Sequence, residues 1–219
     1  MAMHSTKYAN REELKGLIVE VAVREFTKKG IKNVTMDKIS ALLGISKRTL
    51  YEIFPDKEDL LVSCVAFSEE QAQKYLQGVL PKTKNVLEMI LLIYQTAITR
   101  LQAVNPSFLA ELTKYPRAYN LYLQNREASS ARAFHFFQDG VGQGLFRPDV
   151  NYKIVNKLLR GQFKLLLHTD VYRLYPFLDV LESIIFTFLR GICTEQGTQI
   201  LDEFIEERRN ARKEWRIHE

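Results

Sequence analysis

Apolar residues recur at steps of three and four along nearly the whole chain, and no convincing stretch alternates with a period of two. That periodicity predicts an all-α protein. Leu14, Leu17, Ile18, Val21, Ala22 and Phe26 form one stripe of a first helix over Arg11–Lys29. Lys28 and Lys29 sit in its last turn, where cations suit the helix dipole, and Gly30 is expected to close it with a left-handed cap. Short helices are predicted over Met36–Leu43 and Lys47–Phe54. A fourth runs from Lys57 to Val79 with Asp56 as its N-cap. Beyond Pro81 the pattern predicts six more, over Thr83–Val104, Ser107–Lys114, Arg117–Gly142, Asn151–Tyr172, Phe177–Glu195 and Thr198–Arg216. Prolines 106, 116, 148 and 176 punctuate that part.

The second and third predicted helices are joined by a very short turn, and its residues are the informative ones. Thr35 is suited to cap the second helix and Asp37 to its positive end. Ile39 and Leu43 face inward, and Ser40 is small enough for a close helix crossing. Gly44 permits the left-handed step that aims the next helix, Ile45 plugs the corner and Ser46 caps the third helix. Leu50 and Phe54 hold that helix inward. Two short helices meeting steeply at such a turn form the geometry that places a helix in a DNA groove.

Charge strengthens this reading. The chain of 219 residues carries a formal net charge of +5. The stretch from Met1 to Lys57 has 11 Lys/Arg against 7 Asp/Glu, so almost all the excess lies in the first quarter. A polyanionic partner is expected there. A hydrophobic content of 46% is enough for a buried core. Cys64 and Cys193 lie in apolar helical stretches and read as buried, reduced thiols. The first ten residues lack the apolar run of a signal peptide, and no stretch is expected to span a membrane. A cytoplasmic protein is expected.

The third helix offers Lys47, Arg48 and Thr49 in its first turn and then Tyr51. Lys and Arg reach phosphates or the O6 and N7 acceptors of guanine. Thr and Tyr hydroxyls suit phosphate oxygens. Lys57 opens the fourth helix, where free amides and a cation together favour a phosphate.

This segment resembles the DNA-binding domain of the TetR/AcrR family of bacterial transcriptional regulators. The resemblance rests on Phe26-Thr27-Lys28-Lys29-Gly30, Thr35, Ile39, Gly44-Ile45-Ser46, Thr49-Leu50-Tyr51, Phe54 and Lys57-Glu58-Asp59-Leu60-Leu61. Gly144-Leu145-Phe146-Arg147-Pro148-Asp149 is similar to the family's loop before its dimerising helices. The resemblance implies a subunit of nine to ten helices, a homodimer, a palindromic double-stranded operator and repression. It also implies DNA contacts at Thr35, Lys47, Thr49, Tyr51 and Lys57. The chain departs from the pattern at Glu52, a carboxylate able to repel phosphate or to accept from cytosine N4. Arg48 falls at a variable position, which makes it the candidate for this protein's own base readout.

The remaining helices suggest a second domain. The expected division is a helix-turn-helix DNA-binding domain over 1–57 and a helical effector-binding and dimerisation domain over 58–219. Residues 177–192 are apolar around most of a helix and need cover on two sides. Leu158, Phe163, Leu181, Ile185 and Phe188 are the candidate dimer-interface residues. Phe108, Tyr115, Tyr119, Tyr122, Phe134 and Phe137 are the candidate lining of a pocket for a small apolar or amphipathic effector, although core packing accounts for any one of them alone.

Catalytic chemistry finds no support. His4, His135, His168 and His218 are not spaced as metal ligands, and no phosphate-cradling glycine loop or nucleophile elbow occurs. No metal, cofactor or catalytic residue is expected. The function expected is a DNA-binding regulator, a homodimeric repressor released by a small ligand. The alternatives are a helical adaptor or ligand-binding protein that has lost DNA binding, towards which only Glu52 leans, and an enzyme on a helical scaffold.

Overall fold

The computed structural model describes residues 10–102, 104–105, 107–166 and 174–217. Ten α-helices occur among them: α1 Arg11–Lys29, α2 Met36–Leu43, α3 Lys47–Ile53, α4 Lys57–Val79, α5 Val86–Gln102, α6 Phe108–Leu112, α7 Pro116–Gly142, α8 Tyr152–Leu166, α9 Phe177–Ile192 and α10 Glu195–Ile217. No strand forms among the described residues. One antiparallel bridge joins Phe146 to Cys193. No helix of the described residues is long and apolar enough to cross a membrane.

Two compact units result. The first takes the chain as far as Gln77 together with Thr99–Glu127, and the second takes Gly78–Ile98 with the chain from Ala128. In the first, the apolar stripe of α1 buries Ile18, Ala22 and Phe26 against Ile39 of α2, Leu50 of α3 and Leu60 and Leu61 of α4. Each fully buried Leu, Ile or Phe is worth about 1.5–3 kcal/mol over exposure, so this small core rests on a handful of side chains. Leu112 of α6 and Ala118 of α7 complete it, with Phe108, Tyr115, Tyr119 and Tyr122 packed alongside.

The helix ends follow local chemistry. Asn10 caps α1 by accepting from the Glu13 amide at 2.9 Å, and Asp56 caps α4 through the Asp59 amide at 2.8 Å. Gly30 differs from expectation. Its φ is positive at 81° but its ψ is extended at 154°, so it leads the chain out of α1 rather than curling it into a left-handed turn. A Cβ on Gly30 would also stand 3.1 Å from the Glu111 carboxylate, so both the backbone conformation and the space suit glycine there.

In the second unit, α9 stops at Ile192 rather than continuing to Glu195. Cys193 is extended, and the loop after α7 pairs with it. Arg147 donates its amide to the Ile192 carbonyl at 2.8 Å, and the Thr194 amide reaches the Leu145 carbonyl at 2.9 Å. Leu145 and Phe146 are buried by this pairing. A further core forms where Tyr94 and Ile98 of α5 meet Leu181 of α9, with Ile184, Ile185 and Phe186 packed against it. The aromatic edges of Tyr94, Phe186 and Phe204 interlock there.

Candidate nucleic-acid interface

The turn between α2 and α3 has the predicted construction. Thr35 caps α2, its Oγ1 accepting from the Lys38 amide at 3.2 Å. Gly44 takes the left-handed conformation, φ 64° and ψ 30°, and donates its amide back to α2. Non-glycine residues enter that region at a cost, and a glycine there lets the chain turn from α2 into α3 within a few residues. Ser40 is buried, and its hydroxyl is satisfied by the Asp37 carbonyl at 2.9 Å. Ser46 caps α3 through the Thr49 amide at 3.0 Å.

Capping and burial together fix which face of α3 looks outward. Leu50 and Phe54 point into the core. Lys47, Arg48, Tyr51 and Glu52 are exposed, and Thr49 is half-buried with its hydroxyl against that of Ser46 at 2.8 Å. Tyr51 keeps 45% of its surface in solvent. It stands beside two cations on one short helix.

Those cations have protein partners. Lys47 reaches the Asp37 carboxylate of α2 at 2.5 Å. Arg48 donates from Nε to Oε1 of Glu52, one turn later, at 2.8 Å. Arg11, at the start of α1, donates to the Glu52 backbone carbonyl at 2.8 Å. The carboxylate foreseen as a source of repulsion is therefore held against the arginine foreseen as the base reader.

Lys57 is placed differently from the others. It is half-buried, donates to the Ile31 carbonyl at 2.5 Å and lies 5.5 Å from the centre of the Phe26 ring. Burial lowers its pKa, and the nearby Glu111 charge works in the opposite direction. One of its three donors is committed to the protein, and the α1–α2 turn is strapped to α4 by it.

Three more residues of the first unit have partners that sequence reasoning does not give. Glu111 of α6 accepts from the Lys32 amide at 2.8 Å, and that hydrogen bond holds its pKa below the usual carboxylate range. Arg117 meets Asp56 at 3.1 Å, Glu58 at 3.3 Å and Asp59 at 2.6 Å around the start of α4. The third is Asp37, the partner of Lys47. Arg117 alone left a trace in the sequence: an arginine in a helix's first turn opposes the dipole and calls for acidic partners.

The six candidate pocket residues are divided between the two units. Phe108, Tyr115, Tyr119 and Tyr122 pack on the first unit's core, with Tyr119 and Tyr122 stacked at 6.3 Å. Phe134 and Phe137 belong to the second unit, where Phe137 stacks on Tyr152 at 5.2 Å. Phe134, Gln138, Asp149, Tyr152 and Lys153 line an open depression of about 440 Å³ in that unit.

The candidate interface residues also divide. Leu158 of α8 is 61% exposed and Ile154, one turn earlier, 56%. Leu181 is buried within the protomer, Ile185 is half-buried against the same core, and Phe188 meets Phe137 at 6.4 Å. The Phe163 side chain and His168 lie outside the described residues. Asp179, Ser183, Thr187 and Gly191 give α9 an exposed, largely polar stripe, so it is less uniformly apolar on its surface than its composition suggests. Both cysteines are free and buried, and burial pushes the Cys64 thiol up to about 12. Among the described residues no three His, Cys, Asp or Glu side chains are grouped to hold a metal.

With this geometry in view, residues 18–64 match the family described as bacterial regulatory proteins, tetR family. Over 76 residues the chain is 33% identical to the uncharacterized HTH-type transcriptional regulator YhgD of Bacillus subtilis (strain 168), which covers 33% of this chain and 40% of that protein. The matches to curated relatives thus span less than half of those relatives' length. A transcriptional regulator of the TetR family from Agrobacterium tumefaciens aligns over 84% of this chain and 100% of its own, with a TM-score of 0.68 and 16% identity. The regulatory protein TetR from Rhodobacter sphaeroides aligns over 80% of this chain and 96% of its own, with a TM-score of 0.65 and 17% identity. At such identities the structural likeness is one of fold, and it extends well past the matched helix-turn-helix.

Proposed function

We propose that this chain, whose residues 18–64 match the model of the TetR family of bacterial regulatory proteins, reads double-stranded DNA as a homodimeric repressor and releases it on binding a small ligand. The observation that carries the DNA reading is the exposed face of α3. Lys47, Arg48, Thr49 and Tyr51 stand together on a helix held from behind by Leu50 and Phe54 and aimed by Gly44. Such a helix enters the major groove with its first residues against base edges and phosphates. Thr35 and Lys57, at the starts of the flanking helices, are assigned to phosphates.

Dimerisation is assigned to α8. Ile154 and Leu158 leave a substantial apolar stripe in solvent, which a second copy would cover. Two-fold symmetry then sets the two α3 helices roughly 34–36 Å apart, one turn of DNA, and the operator is a palindrome. The effector is assigned to the second unit, where Phe134 and Tyr152 offer aromatic surface beside Asp149 and Lys153. Release requires that the ligand favour a state whose α3 spacing no longer fits the operator.

Selection of duplexes from a random pool, repeated across salt, tests the reading. A palindrome with half-sites one turn apart is expected. Affinity should fall steeply with salt, by about 0.9 in log–log slope for each phosphate neutralised. Retention of no duplex at low salt would sink it.

A further inference from the structure

The pairing of Arg48 with Glu52 carries the DNA reading one step further, and its meaning rests on that reading. The two residues are one turn apart on α3 and both in solvent, Arg48 to 89% and Glu52 to 58% of their side chains. Their contact is specific in its atoms: Nε of Arg48 donates to Oε1 of Glu52 at 2.8 Å. A guanidinium has five N–H donors in a rigid plane. With Nε occupied, the two terminal nitrogens remain as its outward edge, a fork that matches O6 and N7 of guanine. Arg11 holds the Glu52 carbonyl at 2.8 Å and so fixes the turn of α3 from which the carboxylate extends.

From this geometry we infer that Arg48 and Glu52 read DNA as one unit. Glu52 is a positioning residue for Arg48, orienting its guanidinium end-on to a guanine. The second carboxylate oxygen accepts from the N4 amino group of a cytosine in the neighbouring base pair. Base pairs stack about 3.4 Å apart, so a carboxylate in contact with the guanine-reading group is within reach of the next pair. The arginine also neutralises the carboxylate, which removes the objection that Glu52 would repel the phosphates. The operator half-site should therefore contain a guanine with a cytosine in an adjacent pair.

The test compares selected duplexes for the full-length wild type, Glu52→Gln, Glu52→Ala and Arg48→Ala. Glu52→Gln keeps an oxygen for Nε but turns an amino donor towards cytosine N4. It should retain the guanine preference and lose the cytosine preference. Glu52→Ala frees the guanidinium and should lower discrimination for guanine by about fivefold or more, within the roughly 5- to 150-fold that one bidentate contact supplies. Arg48→Ala should lose that preference altogether. A merely structural role for Glu52 would weaken all sequences alike and leave these ratios unchanged. The inference is overturned if Glu52→Ala keeps full guanine discrimination while Arg48→Ala loses it, or if Glu52→Gln still selects cytosine. Failure of the wild type to retain any duplex would instead overturn the DNA reading beneath it. Helical circular dichroism and thermal melts of each variant separate loss of fold from loss of preference.

Discussion

The ammonium of Lys57 donates to the Ile31 carbonyl at 2.5 Å and lies over the ring of Phe26. A residue assigned to a phosphate thus also closes the α1–α2 turn. Lys57→Ala removes a charge-assisted hydrogen bond and a cation–π contact, both half-buried, and should lower stability by about 1–2 kcal/mol. The folded variant should also lose about one unit of salt slope on every duplex alike. Urea unfolding measures the first and salt titration of binding the second. An unchanged unfolding midpoint would show that the strap contributes nothing.

Glu111 gives the first unit a pH dependence with a definite sign. The Lys32 amide holds its carboxyl below the ordinary range, ahead of the opposing effect of burial. A carboxylate depressed on folding contributes stability that is fully present above its unfolded pKa, about 4.3. That contribution is lost as pH falls through the folded value. Glu111→Gln keeps an oxygen for the amide and removes the titration. The variant should be less stable than the wild type near about pH 6, and the gap should close towards about pH 3. Urea midpoints across that range check it, and a gap constant with pH would rule out the carboxylate as its source.

What is legible in the sequence here is what is local. Thr35, Gly44 and Ser46 act on residues within a few positions of themselves, so the α2–α3 turn and the outward face of α3 can be read directly. The boundaries of α1, α2 and α4 are set for the same reason. Long-range partners are not legible. Lys57 at a helix start reads the same whether it meets a phosphate or Ile31. Glu111 meets an amide 79 positions away. Tyr115, Tyr119 and Tyr122 look like a pocket lining because nothing in their spacing reveals that they pack on the core of α1–α4. The end of α9 is hidden likewise: no breaker marks Cys193, and pairing with Phe146 ends the helix.

Gly140 is a position where helix propensity and packing oppose each other. Alanine gains up to about 1 kcal/mol in a helix interior. A Cβ there would stand 2.1 Å from Cδ2 of Phe146, and Phe146 is buried in a loop whose neighbouring residues are pinned by the Arg147–Ile192 and Thr194–Leu145 hydrogen bonds. Overpacking of this kind costs about 1–3 kcal/mol, so Gly140→Ala should melt earlier than the wild type. Gly142→Ala, in the same helix with no atom near its Cβ, should melt at the same temperature or later. Equal melting of the two variants would mean that the Phe146 ring yields freely.

The dimer assignment is best tested at Leu158. A charge at Ile185 enters the protomer's own core beside Tyr94, Ile98 and Leu181, so monomers and unfolded chains would be confounded there. Leu158 is 61% exposed and Ile154 56%, so more than half of each lies outside the protomer's own packing. Leu158→Asp should therefore keep the wild-type helical signal and melting behaviour of an isolated protomer. In a dimer the new carboxylate would be buried without a partner, which costs enough to raise the dissociation constant at least about tenfold. Analytical ultracentrifugation should find monomers at concentrations where the wild type is expected to be dimeric. Binding to a two-half-site duplex should fall towards that of a single half-site, because only linked α3 helices engage both. A Leu158→Asp protein that sediments as the wild type does would remove α8 from the interface.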